Sequence, residues 1–101
     1  MDAEELLRHI SDLVFTPAGT TRSERTRHYQ VHVTWRYEDR WSVTSHGSAW
    51  NGADWDHDSR DRALFPLQEA VAAAKALVDT IEVDGLTWAQ RQELRNADPA
   101  G

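Results

Sequence analysis

The sequence predicts a single small α+β domain, a three-stranded antiparallel sheet with helices packed on one face, in the order α-β-β-β-α-α. Three observations predict it. Apolar and polar side chains alternate with a period of two from Tyr29 to Thr44. Apolar residues recur at helical spacing between Pro66 and Ile81. The chain has 101 residues, 40% hydrophobic and 28% charged, which suits one core and no second one.

The elements follow in order. In "DAEELLRHISDLVF", Asp2 with Glu5 three residues on resembles a capping box, and Leu6, Ile10, Leu13 and Val14 share a helical face, so a helix is expected over 2–14. "TPAGTTRSER" carries Pro17, Gly19 and several hydroxyl residues, so 16–26 reads as an exposed arginine-containing loop. Residues 27–57 read as a β-meander. Tyr29, Val31, Val33, Trp35, Tyr37, Trp41 and Val43 are assigned to its buried face. His28, Gln30, His32, Thr34, Arg36, Ser42 and Thr44 are assigned to a face open to water or a partner. Trp35 and Trp41 share a face only if paired residue numbers sum to an even value, which calls for an odd loop near Tyr37–Arg40, with three residues and a bulge expected. Asn51-Gly52 reads as a tight type I′ turn into a short third strand. Pro66 suits the start of a main helix over 66–81, whose alanines let it lie close to a sheet. Asp84-Gly85 reads as a tight turn, and Thr87 with Gln90 as the cap of a last helix over 87–97, followed by a tail over 98–101.

Bulk properties exclude several functions. There is no cysteine, so disulfides, thiol chemistry and zinc–thiolate sites are excluded. No apolar run approaches the ~20 residues of a membrane span, and the acidic start lacks the features of a signal peptide, so a cytoplasmic location without membrane contact is expected. The net charge of −6 disfavours general nucleic-acid binding. The charge is uneven, however. Residues 16–40 hold five arginines against Glu24, Glu38 and Asp39. Lys75 is the only lysine beside ten arginines, a bias expected of a GC-rich genome such as that of an actinobacterium or one of its phages.

The strongest chemical signal is "WNGADWDHDSRD". Asp54, Asp56 and Asp58 have the opening spacing of a calcium loop, but the sixth and twelfth positions hold Ser59 and Phe65 where glycine and glutamate are needed. Extended, these carboxylates stand ~7 Å apart, too far to chelate one ion. They read as a solvated strand end or an acidic contact patch. No glycine-bounded serine elbow, P-loop or dinucleotide fingerprint occurs, so no catalytic residue, cofactor or metal is expected. Five tryptophans are dense for this length. Trp50 and Trp55 flank the Asn-Gly turn and read either as interface anchors or as rings packed under the helix.

Two resemblances follow. The order α-β-β-β-α over 2–81 resembles a double-stranded-RNA-binding domain, although "FPLQEAVAAAK" has no basic residue before Lys75 where that family places a lysine-rich phosphate clamp. The rhythm "YQVHVTW", "WSV", "LQEAVAAAKALV" over 29–81 is similar to HicB-type antitoxin domains, which implies binding and blocking a small toxin. The expectation is a non-enzymatic regulatory module, inhibitor-like, antitoxin-like or host-modulating, that binds a cytoplasmic protein. Trp50, Trp55, Asp54, Asp56, Asp58, His32 and Arg36 are the candidate contacts, and an uncovered edge strand offers a route to a homodimer. The alternatives are a nucleic-acid regulator using Arg22, Arg25 and Arg27, and a metal-dependent enzyme using Asp54, Asp56 and His57.

Overall fold

The alternating segment forms the centre of a five-stranded antiparallel sheet, which replaces the predicted three-stranded one. The computed structural model describes residues 10–23, 25–57 and 63–97. Strands β1 (Asp12–Phe15), β2 (Val31–Tyr37), β3 (Arg40–Ser45), β4 (Ser48–Trp50) and β5 (Trp55–Asp56) lie side by side in chain order. After them come helix α1 (Leu67–Leu77), a two-stranded sheet of β6 (Glu82–Val83) and β7 (Leu86–Thr87), and helix α2 (Trp88–Ala97). Two 3₁₀ turns, η1 (Arg27–Tyr29) and η2 (Val78–Thr80), precede β2 and follow α1. The class is α+β as predicted, but the α-β-β-β-α-α order is wrong.

Three physical reasons account for the correction. First, Asp12–Phe15 is a strand where the helix over 2–14 was expected; residues 2–9 of that helix lie outside the described residues. The three-residue apolar run Leu13–Phe15 fits either period. Here Leu13 and Phe15 pack against the core while the backbone pairs with β2, Leu13 opposite Val33 and Phe15 opposite Val31. Second, the tight two-residue turn falls at His46-Gly47, with Ser45 opposite Ser48. Both turn residues have positive φ, +47° and +82°, as a type I′ turn demands. Asn51-Gly52 sits instead in a four-residue loop between paired Trp50 and Trp55, where Asn51 Oδ1 accepts from the Ala53 and Asp54 amides. An extra strand results. Third, Asp84-Gly85 does turn tightly, but it joins a small hairpin rather than simply leading into the last helix.

Trp35 does pair with Trp41, as the parity argument requires. The connection is a two-residue turn at Glu38–Asp39, and parity is restored by a register shift between Trp35 and Tyr37. Tyr37 then lies opposite Arg40, so the bulge turns it to the face opposite Trp41.

The core lies between α1 and one sheet face. Val31, Val33, Trp41, Val43, Ala70, Ala74 and Val78 are its buried members. Ala70 and Ala74 are fully buried, and their small side chains bring the helix axis close to the valines. Pro66 occupies the N-cap position of α1 and supplies no side-chain cap. Asp39, from the β2–β3 turn, fills that role by accepting from the Leu67 amide at 3.0 Å. Where β4 diverges from β3, Phe65 exchanges two backbone hydrogen bonds with Trp41 and closes the exposed edge. The other sheet face is less open than expected. Ser42 and Gln30 are buried, and His32, Thr34 and Thr44 are half-buried.

Candidate functional site

Two surfaces stand out, one aromatic and one rich in histidine. The aromatic surface is the tip of the β2–β3 hairpin. Trp35 is 47% and Tyr37 55% exposed, although both were assigned to the buried face. Trp41 closes the region that α1 covers, and Trp35, its cross-strand neighbour, lies outside the core cluster. The Trp35 ring is nonetheless held, because its Nε1 donates to the Glu38 carbonyl at 2.7 Å. Arg36 and Arg40 are exposed beside it. The tip is tied to the helix through Asp39.

The second surface is a cleft of about 270 Å³ at the opposite end of the β2–β3 pair, between the sheet and the β6–β7 hairpin. His28, Ser45, His46, Ser48, Trp55, His57 and Glu82 line it, together with Ile81 and Val83. The topology assembles it. Ser45 faces Ser48 across β3–β4, and continuing the β4–β5 register sets His57 opposite Ser48. Ser48 Oγ and His57 Nδ1 are 2.9 Å apart. His28, at the centre of η1 and not in a strand, meets His46 from the type I′ turn, with their Nδ1 atoms 3.2 Å apart and rings edge to face. A serine against an imidazole is the first half of a nucleophile–base arrangement. Among the described residues, however, His57 has no carboxylate to orient it, and Ser48 is itself buried.

The sequence-predicted contacts are distributed differently. Trp50 and Trp55 meet edge to face at 5.4 Å and pack half-buried against the core. Asp54 is exposed and accepts from the Trp55 amide, whereas Asp56 is half-buried in β5. Asp58 lies outside the described residues. His32 is half-buried, 3.6 Å from Asp12, whose carboxylate also accepts from Thr34. Arg36 is exposed in β2 beside the β2–β3 tip. The metal reading of Asp54, Asp56 and His57 finds no support, as no group of three such side chains among the described residues converges on an ion.

The arginine loop is better anchored than its composition implied. Thr26 is buried, and its hydroxyl interacts with Ser23, the Thr21 carbonyl and Gln30. Arg22 and Arg27 border a shallow hollow of about 260 Å³ with Ser23 and Gln30, and Arg25 is not part of it. No helix among the described residues is long and apolar enough to cross a membrane.

No family profile matches this chain, and no curated protein or solved structure is significantly similar to it. The sequence rhythm shared with HicB-type domains therefore has no match behind it, and the three-stranded α-β-β-β-α order that carried the likeness to RNA-binding domains gives way to a five-stranded sheet.

Proposed function

We propose that the protein is a non-enzymatic interaction module that binds another protein through the tip of its β2–β3 hairpin. The observation that carries this reading is the exposed pair Trp35 and Tyr37 beside Arg36 and Arg40. Tryptophan, tyrosine and arginine dominate interface hot spots because large rigid groups gain contact area for little lost entropy. Trp35 is already immobilised by its bond to Glu38, so less freedom is lost when a partner covers it. The bulge spreads the two rings over opposite sheet faces, so the tip suits a groove that grips it from both sides. Asp54 is exposed in the β4–β5 loop, and Asp56 is half-buried in β5.

The test compares capture by the tagged wild-type protein with capture by Trp35→Ala/Tyr37→Ala from a lysate of the source cell. One stoichiometric protein retained by wild type, and by an exposed-helix control Gln68→Ala, but lost with the tip variant supports the reading. A partner retained equally by all three contradicts it. Loss of a hot-spot tryptophan is expected to weaken binding by roughly 30-fold or more.

A further inference from the structure

We infer that His28 and His46 form a binding site for a borderline divalent transition-metal ion such as copper(II), nickel(II) or zinc(II). The two residues are 18 apart in sequence, yet the fold brings their Nδ1 atoms to 3.2 Å. Metal–imidazole bonds of about 2.0–2.1 Å at a tetrahedral angle place ligand nitrogens about 3.3–3.4 Å apart. The observed 3.2 Å lies between one edge of a zinc tetrahedron and the ~2.8 Å that separates cis nitrogens on square-planar copper(II) or nickel(II), within a few tenths of an ångström of either. Without an ion, this contact requires one ring to donate a proton to the other. For both Nδ1 atoms to ligate an ion, the donor ring passes that proton to solvent and takes one up on its own Nε2, and a modest rotation of each ring aims both Nδ1 lone pairs at the ion. Both side chains are exposed, so the rotation meets little resistance.

The backbone holds the pair in place. His46 occupies a left-handed position, φ +47°, within the type I′ turn, and His28 lies in η1 next to buried Tyr29. Asparagine or glycine is the ordinary residue at a left-handed turn position, so a histidine there sets an imidazole over the cleft at some conformational cost. The remaining coordination positions open to water. His57 and Glu82 are the other titratable groups lining the cleft, and His57 is engaged by Ser48. No third protein ligand converges among the described residues, so the site is a two-imidazole one that exchanges its ion. Imidazole ligands exclude the oxygen-preferring ions magnesium and calcium as its occupants.

The test is calorimetric titration of the full chain with copper(II), nickel(II), zinc(II) and magnesium. Saturable 1:1 binding of at least one of the first three, with none for magnesium, is expected. Affinity should fall at least about tenfold in His28→Ala and in His46→Asn, the latter keeping a residue suited to the turn, and stay within about twofold in His32→Ala. Circular dichroism melting confirms that each variant is folded. Binding should also weaken on acidification, because the ligands must shed protons. Absence of saturable binding to wild type, or binding that survives in the folded His28→Ala/His46→Asn variant, overturns the inference.

Discussion

Asp39 shows how a single residue joins distant parts of the chain. Its carboxylate accepts from the Leu67 amide across 28 positions of sequence, giving α1 a cap that Pro66 cannot supply. Asp39→Ala is expected to lower stability by about 1 kcal/mol, measured by urea unfolding. Asp39→Asn should retain most of that stability, since an amide oxygen also accepts. Tyr29 plays a similar part on the other side of the molecule. Its hydroxyl donates to the Leu86 carbonyl and accepts from Arg91 Nε, while Trp88 meets its ring edge to face at 5.5 Å. Tyr29→Phe keeps the ring and leaves two polar groups unpaired, so a loss of about 1–2 kcal/mol is expected in the same measurement. Neither link was legible in the sequence. Asp39 reads locally as a turn residue, and nothing near it names the helix it caps. The Thr87–Gln90 pair was legible because its reciprocal bonds span only three residues: the Thr87 amide donates to Gln90 Oε1 and the Gln90 amide to Thr87 Oγ1.

Among the elements, legibility followed the length and clarity of the periodic signal. β2 and the alanine face of α1 are long and strongly patterned, and both formed inside the spans the pattern marked, although β2 begins only at Val31, after η1, and α1 gives way to η2 after Leu77. β1, β4, β5, β6 and β7 are two to four residues long, too short for any period to be read. Turn chemistry decided the rest. His46-Gly47 and Asn51-Gly52 compete for the tight turn, and the stronger dipeptide signal lost. His46-Gly47 sets Ser45 against Ser48 and Thr44 against Ala49, whereas the Asn51 side chain instead organises a wider loop. Gly47 has φ +82° and open space where a Cβ would stand, so Gly47→Ala strains the backbone without a clash. It is expected to cost about 1 kcal/mol and to speed amide exchange in β3 and β4 more than in β1. The histidine cleft was missed for the same reason: its three imidazoles come from η1, the turn and the end of β5, and no linear spacing connects them.

At the scale of the whole molecule, the sheet has a packed middle and two projecting ends. α1 covers the valines and Trp41. Beyond it, one end presents Trp35 and Tyr37, and the other gathers His28, His46 and His57 around a cleft. The tryptophan-rich composition was legible as interface material, but the assignment to Trp50 and Trp55 rested on their place beside a turn. Packing separates the rings: the β4–β5 rings meet the core, and the β2 ring lies outside the core cluster and exposed. The protein partner is thus expected at the hairpin tip. The most direct test places a photo-crosslinking amino acid at Tyr37, and in separate proteins at Trp50 and at Gln68, and irradiates each in the source-cell lysate. One discrete protein adduct from position 37, and none from positions 50 or 68, is expected. An adduct from position 50 with none from position 37 would contradict it and return the contact surface to the Trp50/Trp55 pair.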